Sequence, residues 1–322
     1  MADIVFGLAT SRSGMISMPV DLWPLMAERD KRRRLRNRNG DLVTYDEMLA
    51  NAPASMAAEV TPEVFQQKYD AAQAAFATLV KRYAEIDPDY VLVMGDDEEE
   101  YIHDDNRPAI MLYRGETWRN IPRAVTESTD PVGVASNWSW GREDRSYPVA
   151  AGLTERVLRY LIEAEFDVGD SLTLKAMAHG FGFMYERIMH RVVPIIPVVV
   201  NVHTPPAQPT PKRCYDLGRA VRDALLASGV PGRVAVVATG GLSVGFLDEE
   251  LDRRLLGALQ QRDVQTIAGL PRGWIQGSTG EVLNWVGAGG AAEHLTMEPV
   301  NYTPAYRSPA GTGTGLGFAM WT

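Results

Sequence analysis

The stretch that decides the fold opens at Thr61-Pro62-Glu63-Val64 and closes at Tyr90-Val91-Leu92-Val93-Met94-Gly95-Asp96-Asp97. A threonine cap, a proline at the first helical position and an acid in the first turn predict a helix start. Phe65, Tyr69, Ala72, Phe76, Leu79 and Tyr83 recur at three- and four-residue spacing, so the helix is predicted to run to Ile86. Asp87-Pro88-Asp89 ends it. Tyr90 to Met94 is then a continuous apolar run of strand length, predicted to be buried on both faces, and polar residues follow it. Helix, strand and polar loop form the repeating unit of α/β proteins, whose ligands collect beyond the carboxyl ends of strands.

The same pattern extends outward. Ile4 to Ala9, Val193 to Val202 and Val234 to Ala238 read as strands, and Pro108 to Tyr113 as a further one. Helical spacing predicts helices over Asp21–Asn37, Ala150–Glu165, Arg213–Ser228, Asp248–Gln261 and Val282–Glu293, with Thr44 capping a short one. Thr126 to Ser146, with Trp138 and Trp140, reads as loop, and Pro205 to Pro211 as a rigid proline loop. The glycine-rich tail Ala310–Gly317 lacks the Lys-Ser/Thr pair and following helix that a phosphate-binding loop requires.

Composition narrows the function classes. The chain has 322 residues, 45% hydrophobic content, a net charge of -9 and a pI near 5.2. That balance argues against nucleic acid, which needs a basic stripe to displace counterions. The one basic run, Lys31 to Arg36, reads as a solvated face. A lone cysteine, Cys214, excludes an internal disulfide and fits a reducing cytoplasm. The first residues lack the basic start and apolar core of a signal peptide, and no apolar run approaches the roughly 18 residues a membrane span needs. The expectation is a cytoplasmic chain that binds neither membrane nor nucleic acid.

Chemistry-bearing residues are concentrated after the Tyr90–Met94 strand, in Asp96-Asp97-Glu98-Glu99-Glu100 with His103 behind. Glu98 and Glu99 are expected to be solvated loop, while Asp97 and Glu100 stay open as oxygen ligands. His203, beside the proline loop, is expected to be structural.

Several segments, in order, resemble the class III extradiol ring-cleavage dioxygenases, the superfamily of the protocatechuate 4,5-dioxygenase beta chain. These are Leu8-Ala9-Thr10-Ser11-Arg12-Ser13, Tyr90 to Glu98, Ala178-His179-Gly180, and Asn201-Val202-His203-Thr204-Pro205-Pro206 with Lys212 to Gly218. Thr239-Gly240-Gly241-Leu242-Ser243, Gly277 to Trp285 and Tyr302 to Ala319 complete the series. The resemblance implies a single α/β domain over 1–322, with a central mixed sheet flanked by helices and an extended helical insertion at about 20–60. The pocket is expected at the carboxyl ends of the Ile4–Ala9, Tyr90–Met94 and Val234–Ala238 strands.

The resemblance also implies Fe(II), held by two histidines and a glutamate. Carried over by position, the first histidine falls on Arg12, the second on or beside Asp97, and the catalytic histidine on Val244. The glutamate ligand is kept as Glu281 and the substrate-side histidine as His179. A guanidinium has no lone pair to donate and stays protonated. A non-standard or absent Fe(II) site is therefore expected: no metal, or one held by Glu281, Asp97 and Glu100. Arg12 has two readings: it neutralises the old ligand carboxylates, or it grips a substrate carboxylate through a forked hydrogen-bond pair.

The implied catalytic residues are His179, Arg12 and Glu281, with Arg12, Ser13, Asp97, Val244 and His179 around a small aromatic substrate. Three functions stand: a divergent dioxygenase of aromatic catabolism, a metal-free enzyme of proton transfer or hydrolysis on a phenolic or carboxylated ring, and a non-catalytic partner subunit. The resemblance implies a homodimer or a heteromer with a paralogous chain.

Overall fold

The computed structural model describes residues 1–103, 106–122, 132–133, 139–141 and 143–322. Its frame is a mixed β-sheet of nine strands among the described residues. In chain order the strands are β1 (Ala2–Thr10), β2 (Leu35–Arg36), β3 (Leu42–Val43), β4 (Tyr90–Gly95), β5 (Ile110–Tyr113), β6 (Thr117–Asn120) and β7 (Arg145–Pro148). Then come β8 (Gly169–Ser171), β9 (Ile195–Val200), β10 (Gly232–Thr239), β11 (Val244–Phe246), β12 (Met297–Tyr306) and β13 (Thr312–Trp321). β2 with β3 and β6 with β7 form two small antiparallel pairs outside the large sheet.

The sheet centre is parallel: β1 pairs β10, β10 pairs β4, and β4 pairs β9. β5 then runs antiparallel to β9, and β13 antiparallel to β1. β13 carries β12 along one edge and β1 and β11 in succession along the other. Most of the glycine-rich tail thus lies in a buried strand, β13. Its glycines keep that strand thin: a Cβ on Gly313 would lie 2.3 Å from the Ala305 carbonyl oxygen, and one on Gly315 2.0 Å from Asp252 Oδ2.

Side-chain alternation on the central strands feeds two cores. Leu92, Met94, Val234 and Val236 face one side, packed with the helices Ala151–Glu163, Pro211–Ala227, Glu249–Gln261 and Val282–Ala291. Val91, Val93, Ala235 and Val237 face the other, against the helix Pro62–Ile86 and Trp23. A sheet covered on both faces is what the near-continuous apolar strands require. The Pro62–Ile86 helix begins as expected, with Thr61 Oγ1 accepting from the Val64 amide, and ends at Asp87 in the left-handed region (φ 46°).

Residues 20–60 are less helical than their spacing suggests. Of Asp21–Asn37 only Trp23–Asp30 is α-helix, and the basic run that follows leads into the β2–β3 pair. Tyr45–Asn51 is a helix closed by a full capping box between Thr44 and Glu47. Most of the expected loop 126–146, Trp138 included, lies outside the described residues, as do Asp104 and Asp105.

Candidate functional site

Three parallel strands end side by side and deliver the site. β1 runs into Ser11 and Arg12, β4 into Asp96, and β10 into Gly240 and Gly241. The amide of Ser11 donates to the Gly317 carbonyl and its hydroxyl to Gly315, which fixes the exit of β1. Glu281 arrives from the opposite direction, in the short turn Gly277–Glu281 that starts the Val282–Ala291 helix. That turn lies close against the end of β9: a Cβ on Gly280 would sit 1.8 Å from the Val202 carbonyl oxygen.

At the centre is Arg12. Its Nη2 lies 2.5 Å from Glu281 Oε1, 3.2 Å from Asp96 Oδ2 and 3.3 Å from Glu98 Oε1. The Arg12 side chain is 1% exposed, Asp96 0% and Glu281 4%, so this ion-pair core is sealed from solvent. Glu281 Oε2 accepts from the Gly241 amide at 2.5 Å, and Asp96 Oδ1 accepts from Asn284 Nδ2 at 2.7 Å. Gly240 has φ +140°, and a Cβ there would lie 2.6 Å from the Glu281 Cβ; only glycine lets the backbone pass so close.

Above the core is a more open rim. Glu98, one-third exposed, is its centre. His203 Nε2 lies 3.5 Å from both Glu98 Oε1 and Asp96 Oδ2, and His179 Nε2 lies 3.7 Å from Glu98 Oε1. The other ring nitrogen of His179 meets Glu100 Oε1. Glu100 Oε2 accepts from the His179 amide and from Trp140 Nε1, each at 3.1 Å. The Trp140 indole stacks on the imidazole at 4.3 Å and 17°.

The electrostatics follow from burial and partners. Burial would lower the Arg12 pKa, but Glu281, Asp96 and Glu98 raise it overall. Burial would raise Asp96, and Arg12 and His203 hold it below its usual range. Burial would raise Glu98, but His203 foremost, with Arg12 beside it, holds the group well below the usual carboxylate range. Burial beside Asp96 and Glu98 pushes Glu281 well upward, with Arg12 pulling the other way. His203 is raised well above the ordinary histidine value: burial opposes its charge, but Asp96 and Glu98 more than offset that.

The residues singled out from sequence are distributed unevenly. Arg12 and Glu281 touch, and His179 stands at the rim. The Asp97 side chain turns away: it accepts from the backbone amides of Glu100, Tyr101 and Ile102, at 2.8, 3.1 and 3.3 Å for its best contacts. The reason is local, because adjacent residues leaving a strand point to opposite sides, so Asp96 takes the inward place. Glu100 serves His179 and Trp140 rather than the core. Ser13 Oγ caps the following turn by accepting from the Met15 amide. Val244 lies on β11, its amide and carbonyl both bonded to the Thr279 hydroxyl.

Asp96 was covered only by the expectation of a position on or beside Asp97; the inward places of Glu98, Asn284 and His203 were not anticipated. Glu98 was expected in solvent and His203 as structural. The pairing that brings them in is tertiary: β4 and β9 are parallel neighbours, with Gly95 opposite Val199, so residues just past both ends meet.

Fe(II) does not fit this centre with Arg12 as placed. Nη2 already lies among the oxygens that would have to turn toward an ion, and it carries the same sign of charge.

Comparison with known proteins agrees with the fold. A gallate dioxygenase of Pseudomonas putida is 31% identical over 165 residues, which cover 45% of this chain and 47% of that protein. The alignment therefore spans about half the length of that relative. The family described as the catalytic LigB subunit of aromatic ring-opening dioxygenase matches residues 51–316, a span that starts after Arg12 and includes Asp96, His179, His203 and Glu281. This chain belongs to that family of aromatic ring-opening dioxygenase catalytic subunits.

Proposed function

We propose that the chain acts on a phenolic or carboxylated aromatic compound at the rim made by Glu98, His179 and His203, with no Fe(II) in the ordinary ligand set. The family supports an aromatic substrate, and the name of the gallate dioxygenase relative points to a ring bearing hydroxyls and a carboxylate. The observation that carries the reading is Arg12 Nη2 at 2.5 Å from Glu281 Oε1 inside a sealed core.

In this reading the chain divides labour between core and rim. Arg12 and Glu281 hold the three strand ends together and set the field; their burial keeps them from gripping a substrate directly. Glu98, kept ionised by its cationic neighbours, accepts a charge-assisted hydrogen bond from a phenolic hydroxyl brought against Oε1. The imidazole rings of His203 and His179 then stand beside the phenol oxygen. Glu100 holds the His179 ring through its other nitrogen, and Trp140 offers a flat apolar wall of the kind that packs aromatic ligands.

The test is a panel of hydroxylated benzoates, gallate included, titrated calorimetrically into native protein and then assayed for turnover with a chelator present. Binding that is weakened about tenfold or more by Glu98→Gln and by His179→Ala supports the reading, that being the worth of one charge-assisted hydrogen bond. Turnover that needs added Fe(II) and disappears in Glu281→Gln would refute it.

A further inference from the structure

We infer that the Arg12 guanidinium and a divalent cation are alternative occupants of one site, made by Asp96, Glu98, His203 and Glu281, and that the native chain carries its cation as a side chain. Each of these four residues offers one ligand atom, and the four atoms all lie within 4.8 Å of one another. Donor atoms about 2.1 Å from one ion lie no more than about 4.2 Å apart, so these four need only a small inward shift to share one. Arg12 Nη2 is within 3.3 Å of three of the four.

Two further atoms point to a cation-centred arrangement rather than a chance cluster of acids. His203 Nε2 is buried with no hydrogen-bond partner, although two carboxylate oxygens lie 3.5 Å away. Asn284 Oδ1 is also buried and unpartnered, while its amide nitrogen holds Asp96. A nitrogen aimed at the cluster and an acceptor beside it are what a metal ion with a bound water would use. Arg12 binds the carboxylates but reaches neither of these two atoms, and His203 Nε2 meets Asp96 and Glu98 only at ion-pair distance.

Charge makes the exchange all-or-none. Buried carboxylates this close together need a compensating cation. A doubly charged ion among the same oxygens would lie a few ångströms from the guanidinium and repel it strongly in a dry site. The donor set is oxygen-rich with one imidazole, which suits a hard divalent ion such as Mn2+ better than a thiophilic one. This inference does not depend on which aromatic compound the rim takes.

The experiment uses full-length protein and Mn2+ as the probe, read by electron paramagnetic resonance and calorimetry. Native protein and Arg12→Lys, which keeps a cation in place, are expected to bind no Mn2+ at this site. Arg12→Gly is expected to bind one Mn2+ per chain, with its melting temperature rising with Mn2+ concentration. Adding His203→Gln to Arg12→Gly is expected to weaken that binding about tenfold to a hundredfold. Stoichiometric Mn2+ in native protein that Glu281→Gln abolishes would overturn the inference. So would an Arg12→Gly chain that binds none, that is indifferent to His203→Gln, or that stays unfolded at saturating Mn2+. Aromatic-ligand binding by native protein is a separate readout, so failure here leaves the rim reading testable on its own.

Discussion

Glu281 accepts from two directions at once: Arg12 Nη2 on Oε1 and the Gly241 amide on Oε2, each at 2.5 Å. One carboxylate thereby ties the exit of β1 to the exit of β10. Removing Arg12 would leave Glu281, Asp96 and Glu98 without their shared cation, whereas removing the charge of Glu281 leaves Arg12 its other two partners. Arg12→Ala is therefore expected to cost about 3–5 kcal/mol, the usual penalty for breaking a buried ion pair, and Glu281→Gln less. Urea unfolding of both variants in metal-free buffer checks the order, and equal losses would contradict it.

Gly240 is the hinge of that same contact. Its φ of +140° and the 2.6 Å clash of an added Cβ with Glu281 make Gly240→Ala costly in two ways. A loss of about 2 kcal/mol or more is expected. Gly229→Ala serves as control: it also has positive φ (+71°) but meets nothing within 4 Å, so it should lose clearly less. Thermal melts of the pair separate the backbone cost from the clash.

Asp252 gives the chain a pH dependence. It is fully buried, and burial pushes its carboxyl up to about 7 despite donors from Ser243 and Tyr302. Below the ordinary value of 3.8 the group is protonated in both folded and unfolded chains, and it adds no slope. Between there and about 7 the folded chain keeps a proton that the unfolded chain has released. Stability from this group therefore falls as pH rises through that window, by on the order of 4 kcal/mol in all, and is flat above it. Asp252→Asn is expected to flatten that decline. Urea midpoints at several pH values between 4 and 8 for both proteins measure it; parallel curves would rule the assignment out.

Cys214 lies in the Pro211–Ala227 helix with no exposed surface, and burial pushes its thiol up to about 12. A thiolate is therefore scarce at neutral pH. Native protein should not react with a thiol reagent over the time in which denatured protein reacts completely.

The His179 ring is held by Glu100 on one side and Trp140 on its face. Glu100→Gln should free the ring without unfolding the chain. Nitrogen-15 spectra of the imidazole are expected to show a single ring environment in native protein and exchange between several in the variant. Trp140 fluorescence should change with it, because Glu100 also accepts from the indole.

Much of the architecture was legible before any coordinates. The Thr61 cap, the helical stripe from Phe65 to Tyr83 and the unbroken apolar run Tyr90–Met94 are local signals, and local signals survive folding when the core agrees with them. The Ala310–Gly317 tail was legible as strand only through the family resemblance of Tyr302 to Ala319, because glycine carries no side-chain pattern. Its strand state comes from β12, β1 and β11 pairing around it. Nor did the basic run after Asp30 declare its turn into a hairpin.

For the site, the chain itself determined the chemistry on offer: an arginine after β1, acids after β4, a glutamate after Gly280 and a histidine before Gly180. Only the tertiary structure decided which of them meet. Asp96 rather than Asp97 faces Arg12 because strand alternation turns neighbouring side chains to opposite sides. His203 joins them because β9 lies beside β4, more than a hundred residues away in sequence. A contact between such distant residues is set by strand order and register, and no local run of residues encodes either one.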